Sequence, residues 1–457
     1  VQERHVAPTL DDPVLTAVSE GIGGPIGAHA RPARWWTPGR VVLVLVTLAF
    51  ALGMLQKQPC WADDWGDGHE RYVKMCYSDV PYLYTGRGFA ELLWPYEDDA
   101  EVRAKYEVME YPVGIAYAAW GTAHVVHWLT GGGSVEPLAS VDAGRLLEDP
   151  EVRREMRGFV VATTLLMFLA TLFAAWALVR VHRTRPYDAA LFAASPVLVV
   201  NALVNWDLLA VGLVAGALLA WSRNRPVLTG VLIGLGAATK LYPLFLLGGV
   251  LVICLRRRAW GDAAKACAAT AAAWLLLNLP AMATGWAEWK HFWAFNDDRG
   301  ADLGSLWMVI SQAGVPVTAE LINNVSLAAF GVWCLVVLAI GLRAPMNPRL
   351  AQLGFLVVAG FLLVNKVYSP QYVLWLLPLA VLARPRWRDQ LIWQACELFY
   401  FASVWWYLDG QLAPGGGNQS VFYWVAIVVR VLGEMFLMAI VIRDVLRPAA
   451  DPVREIS

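Results

Sequence analysis

Long apolar stretches, broken at short intervals by arginine, proline and aromatic residues, run through the chain from residue 40 to residue 445. Their lengths predict helices over 40–57, 157–180, 187–204, 207–222, 226–240, 242–256, 263–283, 320–342, 350–366, 370–384, 388–407 and 420–444, about twelve in all, with the usual few-residue error at each boundary. Several approach or exceed the roughly 18 residues that mark a membrane-spanning helix. Others are nearer 15, short for a hydrocarbon core of ~30 Å, the length expected of helices that meet at a polar midpoint and line a cavity.

Basic clusters punctuate this pattern at Arg180/Arg183/Arg185, Arg223/Arg225, Arg256/Arg257/Arg258, Arg343/Arg349, Arg384/Arg386/Arg388 and Arg443/Arg447. Each closes an apolar segment, and the positive-inside bias assigns each to the cytoplasm. Arg31, Arg34 and Arg40 around Trp35 and Trp36 do the same for the start of the first helix. Residues 1–39 read as a mobile polar tail without the apolar run of a signal peptide, and 446–457 as a second cytoplasmic tail. Two outer loops follow from this topology, 58–156 and 284–319. Residues 111–131 are apolar enough to span, yet a span there would put Arg180–Arg185 outside. They are therefore expected to be re-entrant or interfacial on the outer side. A loop as long as 58–156 is usually functional or disordered, and its aromatic and apolar content argues for order.

Composition sharpens the class. Of 457 residues 58% are hydrophobic and 16% charged, against about 25% charged in ordinary globular chains. A net charge of −1 gives no electrostatic case for nucleic acid. A soluble enzyme, a DNA-binding module and a secreted disulfide scaffold are excluded, leaving an all-α polytopic membrane protein.

Cys60 and Cys76 both fall in the outer loop, an oxidising compartment on this topology, and are expected to form a disulfide. Cys254, Cys267, Cys334 and Cys396 lie in or beside helices as small apolar residues. No CxxC or His/Cys ligand spacing occurs, so no metal or other cofactor is expected. His124 and His127 share one helical face and are read as packing residues.

Four polar clusters converge on the outer side. They are Cys76-Tyr77-Ser78-Asp79-Val80-Pro81-Tyr82-Leu83-Tyr84 with Arg87, Asn205-Trp206-Asp207, Lys240-Leu241-Tyr242-Pro243, and Asn365-Lys366-Val367-Tyr368-Ser369-Pro370-Gln371-Tyr372. A lysine closing an apolar run is costly at membrane depth. Either one alone also fits snorkelling to the interface, but two placed alike, each beside Tyr and Pro, suit a pocket for a lipid-borne phosphate. The second outer loop adds Trp286, Trp289 and Trp293, then Phe295-Asn296-Asp297-Asp298-Arg299. Aromatics interleaved with carboxamides and carboxylates suit a sugar.

The segments CYSDVPYLYTGRG, WPYED, EYPV, TKLYP, FNDDRGADLGSLW and NKVYSPQY resemble, in order and spacing, those of actinobacterial members of glycosyltransferase family 87. The resemblance covers about residues 40–445. It implies the GT-C fold, with 40–445 as a transmembrane catalytic domain, in a multi-pass protein of the bacterial plasma membrane whose active site faces outward. It also implies a polyprenyl-phosphate sugar donor (mannose favoured, arabinofuranose the other choice), a glycolipid or polysaccharide acceptor, and inversion at the anomeric centre. Carried onto this chain, the catalytic acid of the first outer loop falls on Asp79, acting as general base. Lys240, Lys366 and Arg87 would bind the donor phosphate, and Asp207, Tyr84, Asn296, Asp298, Arg299, Tyr368 and Gln371 the substrates. Asp63 and Asp64 share the loop and leave the choice of base open. A transporter or flippase of a polyisoprenoid-linked or other lipid substrate is the second reading, since interrupted helices and buried lysines suit it too. A base in the outer loop separates the two.

Overall fold

The computed structural model describes residues 11–24, 35–66, 68–412 and 420–453, and all regular structure among them is helical. The first long helix, α1 (Pro38–Ala62), opens on Thr37, whose hydroxyl accepts from the Arg40 N–H at 3.4 Å, with Pro38 in the first turn, where no N–H is needed. Beyond it residues 63–66 and 68–149 form a layer containing α2 (Asp79–Gly86) and α3 (Val113–Thr130). A Cys60–Cys76 disulfide, with Cα atoms 5.7 Å apart, ties that layer to the end of α1. α4 (Pro150–Val181) opens on Asp149, which accepts from the Glu151 N–H at 2.7 Å, and returns antiparallel to α1, so that Gly39 lies against Val179.

Shorter helices follow: α5 (Asp207–Ser222), α6 (Pro226–Thr239) and α7 (Leu246–Arg257). Next come α8 (Trp260–Thr284), α9 (Trp286–Asp298), α10 (Ala319–Arg343), α11 (Leu350–Val364), α12 (Val373–Ala383), α13 (Trp387–Leu408) and α14 (Ser420–Leu446). Among the described residues five helices, α1, α4, α8, α10 and α14, are long and apolar enough to cross a membrane. The short ones form the centre: every residue of α12 is buried. Gly230 and Gly234, one turn apart on α6, face Ala266 and Thr270 of α8 so closely that a Cβ at either would fall within 2.4 Å of a backbone oxygen. Small residues at this spacing let two membrane helices touch backbone to backbone, which fixes where the end of α6 stands.

The arginines gather at one end of the bundle and cap neighbouring helices there. Arg223 donates to the Arg180 carbonyl at 2.8 Å, Arg256 to those of Gly341 and Ala344 at 2.6 and 2.7 Å, and Arg349 to that of Ala383 at 2.8 Å. Arg384 pairs with Asp389 at 2.8 Å and Asp444 at 3.1 Å. These bonds occupy carbonyls that the last helical turns leave unpaired. Arg31 and Arg34 lie outside the described residues.

Three expectations need correction. Residues 187–204 are not one helix but three short pieces, Pro186–Ala189, Ala190–Ala193 and Pro196–Asn201. Pro196 lacks an amide donor and turns the residue before it out of the helical region, and Ser195 restarts the chain by accepting from the Leu198 N–H at 3.4 Å. The stretch read as a mobile tail contains a docked helix, Pro13–Ile22, whose cap Asp12 also accepts from the Trp387 N–H at 3.1 Å. The segments 242–256 and 370–384 each begin with a 3-10 turn, at Tyr242–Phe245 and Pro370–Tyr372, with a proline in that turn. Residues 111–131 run as α3 across the ends of other helices: Gly114 abuts Thr239, the Tyr117 hydroxyl accepts from the Ala281 N–H at 3.1 Å, and His127 meets Glu155 at 3.0 Å.

Candidate active site

Asp79 is the first residue of α2 and is held on three sides. Its own N–H donates to the Val204 carbonyl at 2.8 Å, and the Ser78 hydroxyl donates to the same oxygen at 3.3 Å, so the loop is pinned to the turn that leads into α5. From α1, Lys57 donates to the Tyr77 carbonyl at 2.8 Å, Gln56 to that of Met75, and Cys60 bonds Cys76. Three consecutive residues, 75–77, are thus strapped to the end of α1. From the start of α3, the Tyr111 hydroxyl donates to Asp79 Oδ2 at 2.6 Å. Burial first, and then the Asp79 carboxylate, pushes both the Tyr77 and the Tyr111 phenol above the ordinary tyrosine range, so both remain protonated donors.

Asp207 begins α5, where a carboxylate is favoured by the helix N-terminus. The Asn205 side chain accepts from its N–H at 3.0 Å, and the Trp375 indole of α12 donates to its Oδ1. Lys240 leaves the end of α6 in extended conformation, at φ −149° and ψ 146°. Its ammonium stands 3.5 Å from Asp207 Oδ1 and 4.5 Å from the Tyr111 ring centre. Tyr242, Trp375 and Tyr372 stack in series, at 4.7 and 3.9 Å between centres. Asp207 Oδ2, Tyr242 Oη and Gln371 Oε1 are buried and make no hydrogen bond within the chain. Such groups ordinarily find a partner, and a polar ligand or water entering here would supply one.

Lys366 heads a neighbouring group. It donates to the Asp297 carbonyl at 3.2 Å and to Asn323 Oδ1 at 2.5 Å, and its own carbonyl accepts from the Asp302 N–H at 2.9 Å. Arg299 pairs with Asp302 at 2.6 Å. Burial lowers the affinity of Lys366 for its proton, with Asp297 opposing. The two groups are linked through Tyr372, which stacks on Trp375 at 3.9 Å and meets Tyr368 edge-on at 6.0 Å between ring centres. Lys240 and Lys366 thus head two groups of contacts, one on Asp207 and one on Asp297 and Asn323, the first and second candidate subsites.

The other candidates make contacts of their own. Arg87 is ion-paired with Glu110 at 2.9 Å and Glu107 at 3.1 Å. Tyr84 is fully buried and hydrogen-bonds Glu155 at 3.0 Å. Asn296 spends its amide on the Phe292 carbonyl at 2.7 Å, and Asp298 is exposed. Tyr368 is fully buried beneath the second subsite. Asp64 is paired with Arg157, and Asp63 accepts from the Trp65 N–H at 3.1 Å. His124 bonds the Trp120 carbonyl at 3.1 Å. Sequence reasoning missed Lys57, Tyr77 as a donor, and Trp375. Lys57 carries the signature used for the other two lysines, an amine near the end of an apolar run, and was legible on those grounds.

Residues 155–370 match the family model of glycosyltransferase family 87, a span that holds Asp207, Lys240, Arg299 and Lys366 but begins after Asp79. No curated protein matches the chain significantly.

Proposed function

This chain belongs to glycosyltransferase family 87 and is a membrane glycosyltransferase, and from that premise we propose that it moves a sugar from a polyprenyl-phosphate donor to a cell-envelope glycolipid or polysaccharide. Mannose is preferred to arabinofuranose. On this reading the arginine-capped end faces the cytoplasm, by the positive-inside bias, and the Asp79 end the outer side of the plasma membrane. The observation that carries the reading is the contact group at that end: Asp79 on Tyr111, and Tyr111 under the Lys240 ammonium that pairs with Asp207.

An acceptor hydroxyl oxygen attacks the anomeric carbon while its proton passes to the Asp79 carboxylate. The bond from that carbon to the phosphate oxygen breaks, its electron pair leaves with the polyprenyl phosphate, and the configuration inverts. Phosphate is a good leaving group, so no second acid is required, unlike glycoside hydrolysis. Lys240, held by Asp207, faces the charge that grows on the leaving oxygen. Lys366 and Arg299 bind the rest of the phosphate or the sugar.

The test is transfer from labelled polyprenyl-phosphate mannose, and from its arabinofuranose counterpart, by purified protein in lipid nanodiscs. Asp79→Asn should lower kcat by about 10²-fold or more with donor KM little changed. A wild-type rate in that variant would overturn the assignment of the base.

A further inference from the structure

The last two helices, α13 and α14, lie beyond the family-matched segment, and their interface contains ionisable groups that the transfer step does not use. Arg430 and Glu434, one turn apart on α14, are both fully buried and paired at 2.8 Å. Glu397 of α13 is 2% exposed and receives the Tyr368 hydroxyl at 3.0 Å. The Arg430 guanidinium lies 3.8 Å from the centre of the Tyr368 ring. Ionisable residues inside a membrane domain are expensive and mark function by default, and a buried hydrogen-bonded pair of this kind is a weak source of stability but a good means of fixing one arrangement.

What this group holds is the pair of loops behind the second subsite. Arg430 donates to the Gly304 carbonyl at 3.3 Å, and the Tyr423 hydroxyl accepts from the Gly304 N–H at 3.1 Å. The Tyr400 hydroxyl donates to the Tyr368 carbonyl at 2.6 Å. The two loops then bond each other twice, Tyr368 N–H to the Leu303 carbonyl at 2.6 Å and Asp302 N–H to the Lys366 carbonyl at 2.9 Å. Arg299 is bound to the same Asp302. We infer that Arg430, fixed by Glu434 and by the ring of Tyr368, is a positioning residue that sets the Lys366 and Arg299 side chains where the donor phosphate or sugar binds. The inference rests on the function proposed above for its kinetic arm only.

The test uses the full chain in nanodiscs with Arg430→Lys, which keeps the charge but not the planar fork, and Tyr400→Phe, which removes only the hydroxyl on the Tyr368 carbonyl. Donor KM should rise about tenfold or more in Arg430→Lys, with kcat within about twofold and an unchanged melting temperature, since small misplacements of a binding group cost this much. In a Lys366→Ala background the same change should cost clearly less than in the wild type, the remainder acting through Arg299, because coupled groups are not additive. The activity-free arm reads labelling of Lys366 by an amine reagent, resolved by peptide mass spectrometry. Labelling should accelerate at least about threefold in both variants as the loops open locally. Wild-type KM and labelling in folded Arg430→Lys would overturn the inference, as would an equal loss with and without Lys366. Should Arg430→Lys not fold, wild-type labelling in Tyr400→Phe overturns it alone. Faster labelling in a protein that transfers no sugar would leave the inference standing and remove the transferase reading.

Discussion

Lys240 meets Asp207 at 3.5 Å where the end of α6 faces the start of α5, and Trp375 donates to the same carboxylate oxygen. Both ions are buried, at 7% and 1% exposure. Removing one partner of a buried pair strands the other, at a cost of about 3–5 kcal/mol. Lys240→Met should therefore lower the melting temperature sharply, and Lys240→Met with Asp207→Asn should recover most of that loss without recovering transfer. Thermal unfolding of both variants in one detergent checks this. Equal destabilisation in the single and double variants would show that the pair is not what holds this joint.

Tyr111 offers a cleaner separation of roles. Its hydroxyl serves Asp79 and its ring serves Lys240. Tyr111→Phe deletes only the bond to the carboxylate, worth about 1.5–3 kcal/mol when the acceptor is charged. Steady-state kinetics should show kcat down by about tenfold or more and donor KM within about twofold. A change confined to KM would place Tyr111 on the donor instead.

The parts of the site legible in sequence are those where one segment contains its own reason. Lys240 and Lys366 each end an apolar run before a proline, and the structure places both buried, at 7% and 8% exposure. Asp79 stands in a loop whose neighbours the cysteine pair already marked. What was illegible depends on partners far along the chain. Trp375 reaches Asp207 across 168 positions and Arg430 reaches Gly304 across 126, and neither helix alone shows why it should carry a polar contact. Arg87 and Tyr84 entered through the resemblance, and their partners in the fold, Glu110 and Glu155, lie 23 and 71 positions away. The break at Pro196 was visible as a proline, but the apolar length around it outweighed the signal.

The strap on residues 75–77 predicts graded effects. The disulfide closes a separation of 16 residues, a loop whose cross-link is worth about 3 kcal/mol in the chain-entropy account. Replacing Cys60 and Cys76 with serine should lower the melting temperature while leaving measurable transfer, because Lys57 and Gln56 still hold the Tyr77 and Met75 carbonyls. Adding Lys57→Met should then reduce kcat well beyond the product of the separate effects, as expected of neighbours that share one task. Independent, multiplying effects would mean that Asp79 is positioned by the Val204 and Tyr111 contacts alone.

Lys366 gives the pH prediction. Burial makes it release its proton at a lower pH than an ordinary lysine. Its positive charge is thus complete below its own folded value and is lost as the pH rises through that value, beneath the usual lysine range. Donor KM should accordingly rise on the alkaline side earlier than an exposed lysine would allow. Lys366→Arg, which stays charged, should shift that rise to higher pH even if its absolute KM is poorer. Stability moves the other way. Between the folded and unfolded values the unfolded chain holds more protons, so this group makes the fold more stable as pH increases. Donor affinity falling while the melting temperature holds or climbs is the signature expected of Lys366 titration. Affinity and melting temperature falling together would assign the alkaline limb to unfolding rather than to this lysine.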